Sequence, residues 1–251
     1  MIRARWCRSV DDAAARFGSL FGSAGALGVR AALAEAEVAR MTAAVIARRD
    51  AWTSDFGGEQ FALGRAFYTH LETGAASRYF EEAGSSDAIV EAVVPGMQRA
   101  TLALLGMLLG AAVRRRNGFA GPGIHVFPAA EKVAREGGVV HFDLEGLTEH
   151  HLETGARAVT LVVMLQPPST GGGLKLWEVV HDGTPDTELE LDAIVGGSVP
   201  STIARSGPGD ALLIDSRRLH QIQPFGGARD RISITVHAVE IDRGRCWEAW
   251  F

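Results

Sequence analysis

The stretch Arg231–Ile241, which reads RISITVHAVEI, alternates polar and apolar side chains over its first six residues. A period of two puts alternate side chains on opposite faces of an extended chain, so this stretch predicts a β-strand with one apolar face. The second half of the chain predicts about eight short strands: this one, a piece around His220–Phe225, and the six runs given next. The runs are GIHVF (Gly123–Phe127), GVVHFD (Gly138–Asp143), AVTLVVMLQ (Ala158–Gln166), GLKLWEVV (Gly173–Val180), SVPSTIA (Ser198–Ala204) and DALLID (Asp210–Asp215).

The two halves of the chain have different patterns. Strands at this spacing are typical of a sandwich or jelly roll, whereas a parallel α/β sheet would show helices alternating with strands. In the first half, stretches such as Arg30–Trp52 carry apolar residues at helical spacing. We therefore predict an α+β fold: a distorted double-stranded β-helix (jelly roll) with a helical N-terminal half packed against it. The expected regions are residues 1–120, mainly helical, and residues 121–251, the jelly-roll core, which together form one structural unit.

Composition excludes several classes of protein. The 251 residues are 47% hydrophobic with a formal net charge of −5, which excludes a disordered chain and argues against nucleic-acid binding. The longest apolar run, Thr101–Val113, is shorter than the ~20 residues that span a bilayer, so no membrane segment is expected. It predicts a buried helix that ends at Asn117-Gly118. Cys7 and Cys246 cannot form a disulfide framework, so we expect a cytoplasmic protein.

Three residues in the second half have the side chains of a metal site. In a strand, His141 and Asp143 would point to the same face while Phe142 points to the other. An imidazole and a carboxylate on one face supply two ligands of a facial triad, which binds Fe(II) with three positions left open. The third ligand must come from a distant strand, and His220 follows a predicted strand and turn that would bring it to the sheet edge. The His-x-Asp tripeptide alone is weak evidence, because it recurs by chance.

The strand that begins at Arg231 adds a candidate anion site. Arg231 and Ser233 share a face, so a guanidinium and a hydroxyl would lie side by side inside the barrel and bind a carboxylate. Taken singly, each residue is better explained as a surface polar group. In combination with His141, Asp143 and His220, the binding interpretation is favoured.

With these residues in this order, the sequence resembles the Fe(II)/2-oxoglutarate-dependent oxygenases. The resemblance covers roughly Gly121 to Ile241, includes the run GGGLKLW (Gly171–Trp177), and is greatest with small, free-standing bacterial hydroxylases of amino acids or natural-product intermediates. It implies that His141, Asp143 and His220 hold Fe(II), and that Arg231 and Ser233 bind the distal carboxylate of 2-oxoglutarate. It further implies that O2 is consumed, that 2-oxoglutarate is decarboxylated to succinate, and that a small-molecule substrate is oxidised.

The resemblance also implies a reaction outcome. Related halogenases have a small residue in place of the carboxylate, whereas here Asp143 is present, so hydroxylation is favoured. Desaturation and ring formation stay open, because they use the same ligands. Two different classes also remain: a metal-free jelly-roll protein that only binds a small molecule, and a hydroxylase of protein side chains or nucleobases. The acidic charge counts against nucleobases.

Several other residues are candidates with competing interpretations. His125 is a substrate contact or a packed polar residue, and Trp177, which alternates with Leu176, faces either the cavity or the core or solvent. His237 shares the parity of Arg231 but is expected to lie too far from the metal. Trp247 and Trp250 have three interpretations: they form a lid, they form the contact of a possible homodimer, or they pack against the helices. His150-His151 lie in a predicted loop, EGLTEHHLETG, that covers the site or is solvated.

Overall fold

The computed structural model describes residues 2–22, 24–181, 194–197 and 199–251. Its strands are β1 (Ala4–Cys7), β2 (Ala26–Val29), β3 (Thr53–Asp55), β4 (Gln60–Leu63), β5 (Ala112–Arg115), β6 (Gly123–Phe127), β7 (Ala158–Gln166), β8 (Thr170–Gly171), β9 (Leu174–Val180), β10 (Ser201–Ala204), β11 (Ala211–Asp215), β12 (Arg218–Ile222), β13 (Phe225–Gly226), β14 (Arg231–Asp242) and β15 (Cys246–Trp250). Its α-helices are α1 (Val10–Arg16), α2 (Glu35–Ala47), α3 (Phe67–Glu72), α4 (Ala76–Val93), α5 (Met97–Leu109), α6 (Lys132–Glu136) and α7 (Glu149–Glu153). Short 3-10 turns cover Phe17–Phe21, Arg49–Ala51 and Phe56–Gly58.

Two facing sheets form the core. The large sheet has the order β1-β2-β11-β7-β14-β6-β4-β3, with β15 paired to β14 and β5 paired to β15. The small sheet has the order β10-β9-β12, and β13 pairs with β8. Leu174 and Leu176 of β9 pack with Leu212 and Ile214 of β11, which closes the two sheets on each other. The α+β jelly roll predicted from the sequence is confirmed.

The other face of the large sheet is covered by helices. Ile232, Ile234 and Val236 of β14 share a hydrophobic core with residues of α2 and α5, among them Met41 and Leu105. This is the apolar face that the alternation of β14 predicts. Arg231, Ser233 and Thr235 consequently point to the opposite side, toward the small sheet.

Several strands lie where the sequence indicates none. Residues 1–120 are mostly helical, yet they also supply β1 to β5, all of which join the large sheet. Because strands of residues 1–120 flank the strands of residues 121–251 on both sides of one sheet, we propose that the two regions form one structural unit. The strands β8 and β15 were also missed. The predicted strand Ser198–Ala204 corresponds to β10, and Ser198 itself lies outside the described residues.

Two local predictions are corrected by the structure. The segment Gly138–Asp143 is not a strand: its only ladder contact is an isolated bridge between His141 and His220. Side chains take the carbonyls that a ladder would need, because Gln221 donates to the carbonyl of Gly138 and His141 donates to that of Val139. The helix α5 ends at Gly110, which has a left-handed φ of 61°, rather than at Asn117-Gly118.

The structure also bears on membrane insertion. No single helix among the residues described is long and apolar enough to cross a membrane; α4 and α5, bent by 98°, satisfy length and composition only as a pair.

Candidate metal centre and anion site

A cavity of about 450 Å³ is lined by residues of both sheets. The large sheet contributes β6, β7, β11 and β14, and the small sheet contributes Leu174, His220 and Ile222. The segment after Gly138 adds Val139, His141, Asp143 and Glu145 to the wall. The cavity therefore brings together residues as far apart in the sequence as Phe56 and His237.

Three potential metal ligands meet in this cavity. The Nε2 atom of His141 lies 3.4 Å from Oδ1 of Asp143, and Nε2 of His220 lies 3.5 Å from Oδ2 of Asp143. One candidate ligand atom from each residue lies within 4.8 Å of the other two. The isolated bridge between His141 and His220 aligns the two backbones, since each N–H donates to the carbonyl of the other. Asp143 is held next to them by its own N–H, which donates to the carbonyl of Ser216 over 2.8 Å.

The backbone fixes the tautomer of both histidines. Nδ1 of His141 donates to the carbonyl of Val139 over 2.9 Å, and Nδ1 of His220 donates to the carbonyl of Arg218 over 2.8 Å. Because a carbonyl only accepts, each neutral ring carries its proton on Nδ1 and keeps a lone pair on Nε2. Metal-bound histidines are oriented in this way. Two such imidazoles with one carboxylate form the donor set of a non-heme Fe(II) site, so these residues fit the metal.

The electrostatics of the three residues suit a cation. Burial opposes ionisation of Asp143, but the neighbouring His220 and His141 hold the pKa of its carboxyl well below the ordinary value. Burial also opposes the charged form of His141, but Asp143 outweighs it and raises the pKa of His141 to about 9. The anionic carboxylate thus attracts positive charge between the two rings, and a divalent cation bound there would replace the proton.

Arg231 is a buried cation at the cavity wall. It is 5% exposed, and among the residues described no carboxylate forms an ion pair with it. Its Nη1 donates to Oγ of Ser233 over 3.3 Å, while its Nε has no hydrogen-bond partner in the part of the chain that the structure describes. Burial lowers the pKa of Arg231 to about 10, so the side chain stays charged at neutral pH. An unpaired buried charge is costly, which makes this pair of residues a site for an anion.

The two predicted substrate residues have different positions. His125 of β6 lines the cavity, is 6% exposed, and lies directly opposite Ser233 in the sheet. Its Nδ1 has no hydrogen-bond partner among the residues that the structure describes, and burial lowers the pKa of His125 to about 3, so the ring is neutral. Trp177 is not part of the cavity lining. It is packed with Phe142 and Leu219, because the opposite face of β9, which carries Leu174, turns toward the cavity.

Of the other candidate residues, some line the cavity and others do not. His237 was expected to lie far from the metal site, but it lines the cavity with its Nδ1 only 4.0 Å from Oδ2 of Asp143. His151 caps the start of α7 through Thr148, which explains the pair His150-His151 without reference to the cavity. Trp247 and Trp250 are 0% and 2% exposed and pack inside the chain.

Several residues of the cavity have no signal in the sequence that predicts their position. Thr160 of β7 donates to Asp143 over 2.6 Å. In the sequence it stands out only as the single hydroxyl residue of the apolar run AVTLVVMLQ. Gln60 and Tyr68 come from the N-terminal region and are hydrogen-bonded to each other at the cavity wall. Nothing in their local sequence connects them to residues 121–251.

No protein-family model matches this chain, and no curated protein matches it at a significant level. Among solved structures, it is similar to an N-substituted L-amino acid dioxygenase from Burkholderia ambifaria AMMD, with a TM-score of 0.57 and 14% identity over 95% of this chain and 91% of that chain. It is similar to SnoK, a non-heme alpha ketoglutarate dependent carbocyclase from nogalamycin biosynthesis, with a TM-score of 0.54 and 14% identity over 92% of this chain and 84% of that chain.

A third similar structure is the epimerase SnoN in complex with Fe3+, alpha ketoglutarate and nogalamycin RO. Its TM-score is 0.52, with 16% identity over 92% of this chain and 86% of that chain. Identities this low show a shared fold. The resemblance indicated by the sequence motifs is confirmed at that level: this chain has the fold of the Fe(II)/2-oxoglutarate-dependent oxygenases.

Proposed function

We propose that this protein is an Fe(II)/2-oxoglutarate-dependent oxygenase that hydroxylates an unactivated C–H bond of a small molecule. The substrate class is an amino acid, an amino acid derivative or a natural-product intermediate. The observation that carries the proposal is the buried guanidinium of Arg231, which forms an ion pair with no carboxylate of the described residues and lies in the same cavity as His141, Asp143 and His220. A metal site alone fits many proteins, but a metal site beside the cationic group of Arg231 fits a cosubstrate that is a dicarboxylate.

Each residue has a defined task in this proposal. His141, Asp143 and His220 hold Fe(II) through two Nε2 atoms and one carboxylate oxygen. Arg231 and Ser233 bind the distal carboxylate of 2-oxoglutarate by charge-assisted hydrogen bonds. When bound, iron supplies the oxidising chemistry, with O2 consumed and 2-oxoglutarate converted to succinate.

The rest of the cavity would orient the substrate and limit water. Val162 and Ile214 form an apolar wall beside the ligands, which excludes water from the reacting centre. His125 offers a neutral imidazole in a position where it can hydrogen-bond to substrate. Trp177 has no such role in this proposal, because it lies outside the lining.

The same metal ligands permit more than one outcome of the oxidation. The presence of Asp143 favours hydroxylation over halogenation, whereas desaturation and cyclisation need the same ligands. The similar structures include a dioxygenase, a carbocyclase and an epimerase. The alternative from another class is a metal-free jelly-roll protein that binds a small molecule without turnover.

Metal and cosubstrate binding test the proposal directly. Anaerobic protein with Fe(II) and 2-oxoglutarate should develop the visible metal-to-ligand charge-transfer band of a chelated keto acid. His141→Ala and His220→Ala should lose Fe(II) binding, whereas His150→Ala, outside the cavity lining, should keep it. Full Fe(II) binding in either of the first two variants, or no band in the wild type, would contradict the proposal.

The substrate and the outcome require a second experiment. Amino acids and their acylated derivatives can be screened for substrate-dependent succinate formation in the presence of Fe(II) and O2. A product that gains one oxygen atom indicates hydroxylation, and one that loses two hydrogens indicates desaturation or ring closure. Oxygen-dependent consumption of 2-oxoglutarate would exclude the metal-free binding protein.

A further inference from the structure

The carboxylate of Asp143 is connected to a buried chain of hydroxyl and imidazole groups. The Oγ1 atom of Thr160 lies 2.6 Å from Oδ2 of Asp143, 3.0 Å from Oγ of Ser216 and 3.0 Å from Nδ1 of His237. Thr160 is 3% exposed and Ser216 is 2% exposed, so water does not compete freely for these contacts. Both β11 and β14 pair with β7 at Thr160, which fixes the position of its side chain.

The direction of each hydrogen bond follows from the number of protons available. An ionised carboxylate only accepts, so the single proton of the Thr160 hydroxyl is donated to Asp143. The lone pairs of Thr160 must then accept from Ser216 and His237. His237 therefore carries a proton on Nδ1, and Ser216 directs its hydroxyl proton to Thr160. The ring of His237 is held in this orientation by Trp250, on which it stacks with an angle of 29° between planes.

The two oxygens of Asp143 consequently differ. Oδ2 lies 3.5 Å from Nε2 of His220 and also receives the Thr160 hydroxyl, whereas Oδ1 lies 3.4 Å from Nε2 of His141 and receives no hydroxyl from Thr160. Rotation of the carboxylate would break the bond to Thr160 and leave its buried hydroxyl proton without the acceptor that Asp143 provides, which is costly. We propose that Thr160 is a positioning residue that holds Oδ2 and thereby presents Oδ1 of Asp143 to the metal as a single ligand atom, with Ser216 and His237 orienting the Thr160 hydroxyl.

This inference rests on the proposed metal site and completes it. The histidine ligands are oriented by the carbonyls of Val139 and Arg218, and Thr160 does the same for the carboxylate. Loss of such a partner generally weakens metal binding roughly 10- to 100-fold. A carboxylate freed from Thr160 can also bind through both oxygens, which changes the coordination number of the metal.

The test uses Co(II) as a spectroscopic replacement for Fe(II) in the full chain. Thr160→Val keeps the shape of the side chain and removes the hydroxyl, and it should weaken Co(II) binding roughly 10- to 100-fold. The visible ligand-field bands of bound Co(II) should change as well, because the carboxylate coordinates differently. Thr160→Ser restores the hydroxyl and should return both the affinity and the bands to those of the wild type. Ser216→Ala removes one supporting bond and should weaken binding only a few-fold.

Thr101→Val is the matched control. Thr101 is also buried, but its hydroxyl donates to the carbonyl of Met97 in α5, so Co(II) binding should not change. Wild-type affinity and wild-type bands in Thr160→Val would overturn the positioning role while leaving the metal site intact. A wild-type protein that takes up no Co(II), or a His141→Ala variant that binds it normally, would overturn the metal site and this inference with it.

Discussion

At the scale of single residues, Arg231 is the most informative side chain, because its buried charge needs a partner that the described residues do not supply. A charge-assisted hydrogen bond contributes roughly 1.5–3 kcal/mol, and about 1.4 kcal/mol corresponds to a tenfold change in affinity. Arg231→Ala should therefore raise the 2-oxoglutarate concentration for half-saturation at least about tenfold. Ser233→Ala removes a neutral hydroxyl and should cost a few-fold to about tenfold. Titration of the anaerobic Fe(II) protein, followed by its charge-transfer band, measures both effects.

Two controls accompany this titration. Arg114→Ala removes an exposed arginine that pairs with Glu248, and Ser86→Ala removes a buried serine of α4. Neither should change the titration, and none of the four variants should change Fe(II) affinity without 2-oxoglutarate. If Arg231→Ala titrates like the wild type, the carboxylate binds elsewhere in the cavity.

A second buried charge makes stability depend on pH. Asp55 is 5% exposed, and no described residue forms a hydrogen bond with its Oδ2. Burial raises the pKa of Asp55 to about 7 against the attraction of Arg65, whose guanidinium already contacts Glu82 and Thr53. Between the ordinary value of 3.8 and about 7, the folded chain binds a proton that the unfolded chain has released. Asp55 therefore lowers the free energy of unfolding as pH rises through this window.

Asp55→Asn should remove this dependence. The neutral amide has nearly the same shape and carries no charge, so the variant should gain stability relative to the wild type as pH rises from 4 to 8. The expected gain is on the order of 3 kcal/mol, since one pKa unit corresponds to about 1.4 kcal/mol. Urea denaturation at several pH values measures it, with the exposed Asp242→Asn as the control. A constant difference between Asp55→Asn and the wild type at every pH would refute the role of Asp55.

At the scale of elements, the strand β14 shows what alternation can predict and where it stops. Its two faces were predictable, because the period of two follows from backbone geometry alone and the apolar face is buried under α2 and α5. The proximity of His237 to Asp143 was not predictable. Asp143 lies on an irregular segment whose backbone N–H bonds to Ser216, and this contact, rather than strand parity, brings the carboxylate above β7 and β14.

The strands of the first half were missed for a different physical reason. β1, β2, β4 and β5 have four residues each and β3 has three, which is too short for a period to be recognised. Their stability comes from neighbours that are distant in sequence: β2 pairs with β11, and β4 pairs with β6. The proximity of His141, Asp143 and His220 could be inferred nonetheless, because two imidazoles and one carboxylate together are the donor set of a metal site.

Close packing at the start of β6 gives a prediction about an element. A Cβ added at Gly123 would lie 2.0 Å from the ring of Phe251, which is 1% exposed. Gly123→Ala should therefore lower the free energy of unfolding by about 1–3 kcal/mol, the usual cost of overpacking. Gly84→Ala in α4, where nothing lies within 4 Å, should instead raise it by roughly 0.5–1 kcal/mol. Chemical denaturation distinguishes the two, and a Gly123→Ala variant as stable as the wild type would contradict the close contact.

At the scale of the whole molecule, residues 1–120 complete the sheet that residues 121–251 begin. Without β2, the edge of β11 would be open, and without β4, that of β6 would be open. The face of β14 that carries Ile232, Ile234 and Val236 would also lose the helices that cover it. Open edges and an exposed apolar face favour aggregation over folding. The cavity would in addition lose Gln60 and Tyr68 from its wall.

The fragment 121–251 should therefore not fold on its own, although it holds every proposed ligand of iron and 2-oxoglutarate. The full chain should unfold in a single transition, seen alike by far-ultraviolet circular dichroism and by tryptophan fluorescence, because Trp177, Trp247 and Trp250 are buried in one connected structure. The fragment should show the emission of exposed indole, no cooperative transition and no Co(II) binding. A fragment that unfolds cooperatively and binds Co(II) as the full chain does would show that the jelly roll is an independent domain, and that the N-terminal strands are additions to a fold already stable without them.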